Sequence, residues 1–224
     1  MHNNHAACHG YQNSCVKRLF HDFDAGLGTV AGGSDAMKYK CLVFDFFGVI
    51  SSEVAPFWLA KHVSASQAAI VKATVIQAAD RGTLSQDELF SSLAELAAVP
   101  PAQVEREWQS LVHIDARMVD LLRALALQCK RGLITNAPSP FVRAVLDRYA
   151  LAGLFDAIIV SSEVGLAKPD HEIYERLLAL LSVKPADALM IDDNADNVAG
   201  AIAAGMDGLL FRSYEQLRAA LTSP

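Results

Sequence analysis

Two apolar runs in this chain end in acid. Cys41-Leu42-Val43-Phe44 leads into Asp45, followed by Phe46-Phe47-Gly48, and Ala188-Leu189-Met190-Ile191 leads into Asp192-Asp193-Asn194. A carboxylate at the tip of a buried strand carries a desolvation cost that a partner, a cation or a catalytic duty would offset. Three such acids gathered at about 4 Å would repel by roughly 4 kcal/mol per pair at an effective dielectric of about 20. The set therefore asks for a divalent cation and an ammonium, and oxygen-only donors point to Mg²⁺ rather than zinc. Lys168, just ahead of Pro169-Asp170, is an ammonium able to neutralise both an acid cluster and a transferring anion. Thr135-Asn136 closes Gly132-Leu133-Ile134 with a hydroxyl and an amide suited to phosphate oxygens. Asp45 itself is a candidate nucleophile, because a carboxylate can accept a phosphoryl group as an acyl phosphate. Taken one at a time, each residue has a plainer reading as a turn or loop residue. Their conjunction in one chain order carries the chemistry.

The elements that must position them alternate. Cys41–Phe46, Arg131–Thr135, Ala157–Ser161, Ala188–Ile191 and Gly208–Phe211 read as strands. Ala116–Gln128, Pro140–Tyr149, His171–Leu181, Ala195–Ala204 and Tyr214–Leu221 read as helices. Near-continuous apolar strands alternating with helices predict an α/β, Rossmann-like, doubly wound parallel sheet. Ligands of such sheets bind beyond the carboxyl ends of the strands, where Asp45, Thr135, Ser161 and Asp192 fall. From Ser52 to Val112 the pattern is helical throughout. Ser64-Ala65-Ser66-Gln67 and Ser85-Gln86-Asp87-Glu88 fit the capping box, and Pro100-Pro101 separates two helices. The expected organisation is a core of 37–51 and 113–224, with a helical cap of 52–112 inserted over the site like a lid. Within the cap, Phe57, Trp58 and Trp108 read as packing residues, as does the stripe Leu89, Phe90, Leu93 and Leu96. His113 reads as a satisfied surface residue, and Glu163 as a turn residue.

Composition narrows the rest. Of 224 residues 52% are apolar, enough for a large core. The net charge of −6, without a long basic cluster, argues against nucleic acid. The chain has no apolar run long enough to span a membrane. Its four cysteines form no disulfide framework, which suits a reducing cytoplasm. Residues 1–36 read as a flexible tail, with Met37 a candidate native start. The tail's His2, His5, Cys8, His9 and Cys15 match no closed metal site.

Four strings together carry a resemblance: Phe44-Asp45-Phe46-Phe47-Gly48-Val49, Ile134-Thr135-Asn136, Lys168-Pro169 and Ile191-Asp192-Asp193-Asn194. With them the chain resembles the haloacid dehalogenase-like superfamily of hydrolases from Lys38 to about Phe211. Ser161–Tyr174 and Met190–Met206 look most similar to its small bacterial phosphatases. The resemblance implies that Asp45 attacks phosphorus. It also implies that Mg²⁺ is held by Asp45, the backbone carbonyl of Phe47, Asp193 directly, and Asp192 directly or through water, with Asn197 ordering that loop. Thr135, Asn136 and Lys168 would bind the phosphate of a small phosphorylated molecule. Nothing in the sequence fixes the oligomeric state.

One position departs from the family pattern. Most phosphatases of the family carry a second aspartate two residues after the nucleophile as general acid and base, and here that residue is Phe47. Losing such a group costs about 10²- to 10⁴-fold. The phosphatase reading then needs its acid from elsewhere, with Lys61 and His62 in the cap as candidates, or a good leaving group. On Phe47 alone, slow dephosphorylation and a persistent phosphoenzyme are expected. A haloacid dehalogenase also places an aromatic at this position, but that branch replaces the first acid of the last motif. A non-enzymatic protein holding a phosphorylated ligand or a partner is the third reading.

Overall fold

The computed structural model describes residues 37–222. The tail and its histidines and cysteines lie outside the described residues. Five strands, β1 (Cys41–Phe44), β2 (Lys130–Thr135), β3 (Ala157–Val160), β4 (Ala188–Asp192) and β5 (Asp207–Leu210), form one sheet in the order β3-β2-β1-β4-β5. Every pairing is parallel. β1 sits at the centre and all four of its residues are buried, as a strand covered on both faces requires.

Alternation along the strands divides the core in two. Leu42, Phe44, Leu133 and Ile191 pack with the helices Ala116–Ala124 and Ser139–Arg148 on one face. Cys41, Val43, Ile134 and Met190 pack on the other with the helices His171–Leu181 and Ala195–Ala203. Two-residue periodicity thus produces the doubly wound sandwich. β1 lies between β2 and β4, so the sheet's topological switch point falls at the ends of β1 and β4, where a crevice opens.

Strand ends differ from the sequence reading by one or two residues. β1 stops at Phe44 because its partners Leu133 and Ile191 are the last in register. Asp45 still donates its backbone N–H to Ile191 at 2.9 Å, after which the chain turns, with the Phe46 carbonyl accepting from Ile50 and Ser51. The helix expected over Ala116–Gln128 ends at Ala124, and a 3₁₀ turn follows over Leu125–Leu127.

Between β1 and β2 runs an all-helical insertion: α1 (Ala55–His62), α2 (Ala65–Val71), a π-helical turn (Lys72–Ile76), α3 (Gln77–Asp80), α4 (Gln86–Ala97) and α5 (Pro101–Leu111). Both expected capping boxes are present, Ser64 with Gln67 and Ser85 with Glu88. The insertion leaves and rejoins the sheet at one place. Ser51 bridges Ile114, and Ser52 exchanges hydrogen bonds with His113, N–H to carbonyl at 3.0 Å and hydroxyl accepting at 2.9 Å. Trp58 is buried as expected, whereas Phe57 is 58% exposed. Leu96 likewise lies at the surface.

Candidate active site

At the switch point the structure brings the sequence-predicted residues together. Oxygen atoms of Asp45, Asp192 and Asp193 lie within 4.8 Å of one another. The fully buried ammonium of Lys168 stands 2.9 Å from Asp45 Oδ1 and 2.6 Å from Asp192 Oδ2. Asp45 Oδ1 also accepts the Phe46 backbone N–H at 2.6 Å. Asp192 is enclosed: besides Lys168 it accepts from Asn197 Nδ2 at 3.1 Å and from the Asn194 N–H at 2.9 Å. Asn197 therefore orders this loop, and Asp192 anchors the lysine, while Asp193 faces the crevice.

The charges do not balance. Burial pushes the Asp45 carboxyl well above its usual range, Asp192 adds to the shift, and Lys168 opposes it. Asp193 is raised by burial and by Asp192. Burial works against the Lys168 ammonium too, yet Asp45 and Asp192 outweigh it and hold its pKa above the ordinary lysine value. Three carboxylates against one ammonium, all hard oxygen donors, form a set that can hold a divalent cation such as Mg²⁺. Gly48 makes room for the Asp193 carboxylate. Its φ of 86° lies in the left-handed region, and a Cβ there would stand 2.3 Å from Asp193 Oδ2.

Thr135 and Asn136 are held in two different ways. Thr135 is fully buried at the end of β2, and its hydroxyl has no hydrogen-bond partner. Asn136 lines the crevice, but its side-chain amide is spent: Nδ2 donates to the Lys168 carbonyl and Oδ1 accepts the Lys168 N–H, each at 2.9 Å. Asn136 thus meets the cavity while its side chain is tied to the Lys168 backbone. It fixes the loop that delivers Lys168.

The cavity above these groups has a volume of about 160 Å³ and is lined from both sides. One wall is aromatic. The Phe47 ring stacks on Phe141 (centroids 6.0 Å apart, planes at 22°), Phe141 meets Trp108 edge-on at 5.5 Å, and Trp108 meets Phe90 at 5.3 Å. Trp108 and Leu89, read from sequence as packing residues, also line the cavity, and the buried Trp108 Nε1 has no acceptor. A polar wall holds Glu53, Lys72 and Asp80. Burial pushes the Glu53 carboxyl up to about 7, helped by the neighbouring Asp193. Burial does the same for Asp80, to about 7, against the pull of Lys168 and Lys72.

Sequence reasoning missed Glu53, Lys72, Asp80 and Phe141. The available signal was Lys72, Ile76 and Asp80 at intervals of four on one helical stripe, all of which line the cavity. A π-helical turn inside that stripe is a further mark often found at functional sites. Lys61 and His62, the sequence candidates for an acid, are engaged elsewhere. Both bind Glu107, at 3.2 and 2.6 Å, and His62 stacks on Trp58. Glu163 binds Ser139 and Arg143, tying two helices together instead of capping a turn. His113 is exposed and satisfied, its ring nitrogen 2.9 Å from the Leu111 carbonyl.

A parallel sheet whose switch point gathers a strand-end aspartate, an acid pair and a buried lysine beneath a helical insertion is a Rossmann-like α/β core with a carboxylate-centred site. The chain belongs to the haloacid dehalogenase-like hydrolase family, whose model matches residues 39–205. It is similar to a sesquiterpene phosphatase from Aspergillus oryzae, 29% identical over 179 residues that cover 76% of this chain and 89% of that one. Its fold is that of a HAD-like hydrolase from Porphyromonas gingivalis, with a TM-score of 0.69 at 21% identity, covering 84% of this chain and 100% of the other. It also matches a HAD family enzyme from Bacteroides thetaiotaomicron in complex with magnesium and inorganic phosphate, with a TM-score of 0.67 at 20% identity, covering 80% and 98%. Among the described residues no helix is long and apolar enough to cross a membrane.

Proposed function

We propose that this hydrolase is a Mg²⁺-dependent phosphatase that cleaves a small phosphorylated molecule through an aspartyl-phosphate on Asp45. The observation that carries the reading is the meeting of Asp45, Asp192 and Asp193 around the Lys168 ammonium at the sheet's switch point. Asp45, Asp193 and the Phe47 carbonyl would hold the ion, with Asp192 behind them. When bound, the ion supplies positive charge against the phosphate and relieves the repulsion among the acids.

The residues of the chain do the rest. Asp45 Oδ1 is fixed by the Phe46 N–H and Lys168, so attack on phosphorus falls to Oδ2. The new P–O bond forms as the bond to the leaving oxygen breaks. Lys168 offsets charge on the transferring group, Thr135 offers its free hydroxyl to a phosphate oxygen, and Asn136 keeps Lys168 in register. Water then attacks the aspartyl-phosphate and releases Asp45. The insertion 52–112 acts as a cap on the core of 37–51 and 113–224, and the aromatic wall seats the organic part of the substrate. Free Cys41 and Cys129 support a cytoplasmic site of action.

The dehalogenase reading draws on one observation, the aromatic Phe47. It is weakened by the intact Asp192-Asp193 pair and by the phosphatase among the relatives. The test is a panel of phosphorylated sugars, nucleotides, organic acids and prenyl alcohols plus a 2-haloacid, assayed with and without Mg²⁺ beside Asp45→Asn. Magnesium-dependent phosphate release that Asp45→Asn abolishes is the expected result. Halide release without magnesium, or ligand binding in calorimetry with no turnover at all, would replace it.

A further inference from the structure

We propose that Asp80, from the insertion, is the general acid and base of this site, the duty that Phe47 cannot perform. The assignment rests on the phosphatase reading above and adds a residue to it. Asp80 lines the same cavity as Asp45 and Phe47, although it lies on a helix of the insertion and not on the sheet.

Its neighbours in sequence bolt it down. Arg81 grips Asp170 of the core with two hydrogen bonds, Nη1 at 2.6 Å and Nη2 at 3.0 Å, and Asp170 directly follows Lys168-Pro169. Gly82, with φ of 71°, lies so close to the core that a Cβ there would stand 2.4 Å from the Ser162 carbonyl. The turn carrying Asp80 is thereby docked on the loop that delivers Lys168. A catalytic group on an insertion needs such a docking contact to hold its distance from the reacting atoms.

The groups that face Asp80 select it. Lys168 and Lys72 can stabilise its carboxylate, and Glu53 opposes it. Arg81 is turned away to Asp170. Glu53, the other acid on this wall, is hydrogen-bonded to Asp193 and so belongs to the cation-binding cluster. With burial holding its carboxyl up to about 7, Asp80 is able both to give and to take a proton near neutrality. In the first step the Asp80 carboxyl gives its proton to the leaving oxygen as the P–O bond breaks, releasing an alcohol. In the second, the Asp80 carboxylate takes a proton from water while the water oxygen bonds to phosphorus and the bond to Asp45 breaks. One ester and one water become one alcohol and one phosphate, and Asp80 ends protonated as it began.

The experiment compares a simple alkyl phosphate with 4-nitrophenyl phosphate in wild type and Asp80→Asn, by rapid quench across pH. On the alkyl phosphate the variant should lose about 10²- to 10⁴-fold in kcat/KM. Nitrophenolate needs no proton to leave, so its burst should survive in the variant, followed by slow turnover and a trapped phosphoenzyme. The persistent phosphoenzyme expected from Phe47 alone then belongs to Asp80→Asn and not to the wild type. Alkyl turnover within about threefold of wild type, loss of the aryl burst together with alkyl turnover, or the same pattern from Glu53→Gln instead, would overturn the assignment. Should Asp80→Asn not fold, Arg81→Met supplies the test: it frees the turn and must depress alkyl turnover more than the aryl burst. If wild type releases phosphate from no ester, the phosphatase reading falls and the assignment with it. If wild type turns over and Asp80→Asn matches it, the assignment alone falls.

Discussion

The two sides of the cavity are built on different terms. On the sheet side, Lys168, Asp45 and Asp192 are almost wholly buried and locked to one another, and every polar contact there holds another in place. On the insertion side, Glu53 and Asp80 are only partly covered and Lys72 is exposed, and the turn carrying Asp80 is held by one ion pair and the close approach of Gly82. The sheet side cannot lose a charge without straining the fold, whereas the insertion side can have a charged group removed and leave the fold standing. Stability and specificity are thus assigned to opposite walls.

The sharpest way to break this contrast is Lys168→Met. Removing the ammonium leaves two buried carboxylates facing each other, and breaking a buried pair costs about 3–5 kcal/mol. Urea unfolding of the metal-free variant should show that loss. Asp80→Asn in the same assay should show none at neutral pH. An equal loss in both would erase the distinction.

Gly48→Ala comes next. It forces a side chain onto a left-handed φ and against Asp193, a strain of about 1–3 kcal/mol. Its melting temperature should fall, and on the proposed reading turnover should need more magnesium.

Acidity sharpens the insertion side. Asp80 and Glu53 have folded-state pKa values of about 7, above the ordinary values of 3.8 and 4.5. The folded protein therefore keeps protons that the unfolded chain releases, and stability falls as pH rises from about 4 through 7. Metal-free melting curves between pH 5 and 8 should decline with pH, less steeply in Asp80→Asn. A flat wild-type profile would show that these acids are not held protonated.

Arg81→Met removes an ion pair about one third exposed, worth about 0–1 kcal/mol in stability, so its melting temperature should barely move while alkyl phosphate turnover drops. Smallest of all, Trp108→Phe removes a buried N–H that has no acceptor, and stability should change by less than about 1 kcal/mol in either direction.

The same division governs what could be read from sequence. Asp45, Lys168 and Asp192-Asp193 announce themselves because each sits at the end of a short apolar run, and parallel strands deliver such ends to one edge. The alternation that separates Cys41 and Val43 from Leu42 and Phe44 is equally local. By contrast, Lys72, Ile76 and Asp80 are spread over a helix in a segment of mixed composition. Their convergence depends on how that helix lies against the sheet, and no local pattern states this. Phe141 was hidden for the same reason, on a core helix whose apolar face also packs inward. The bond from the Asn136 amide to the Lys168 backbone was not legible either, since an amide at a strand end looks alike whether it meets a ligand or a neighbouring backbone. Lys61 and His62 were drawn to Glu107, an acid 46 and 45 residues further on.

The joint at Ser51–Ser52 and His113–Ile114 has a consequence for the history of such molecules. The two filaments that carry the insertion lie side by side, so the gap in the sheet's own chain is already closed without it. Excising or exchanging everything between them would cost little in chain entropy. The sheet's own reaction centre would in this way stay in place while the roof above it is exchanged.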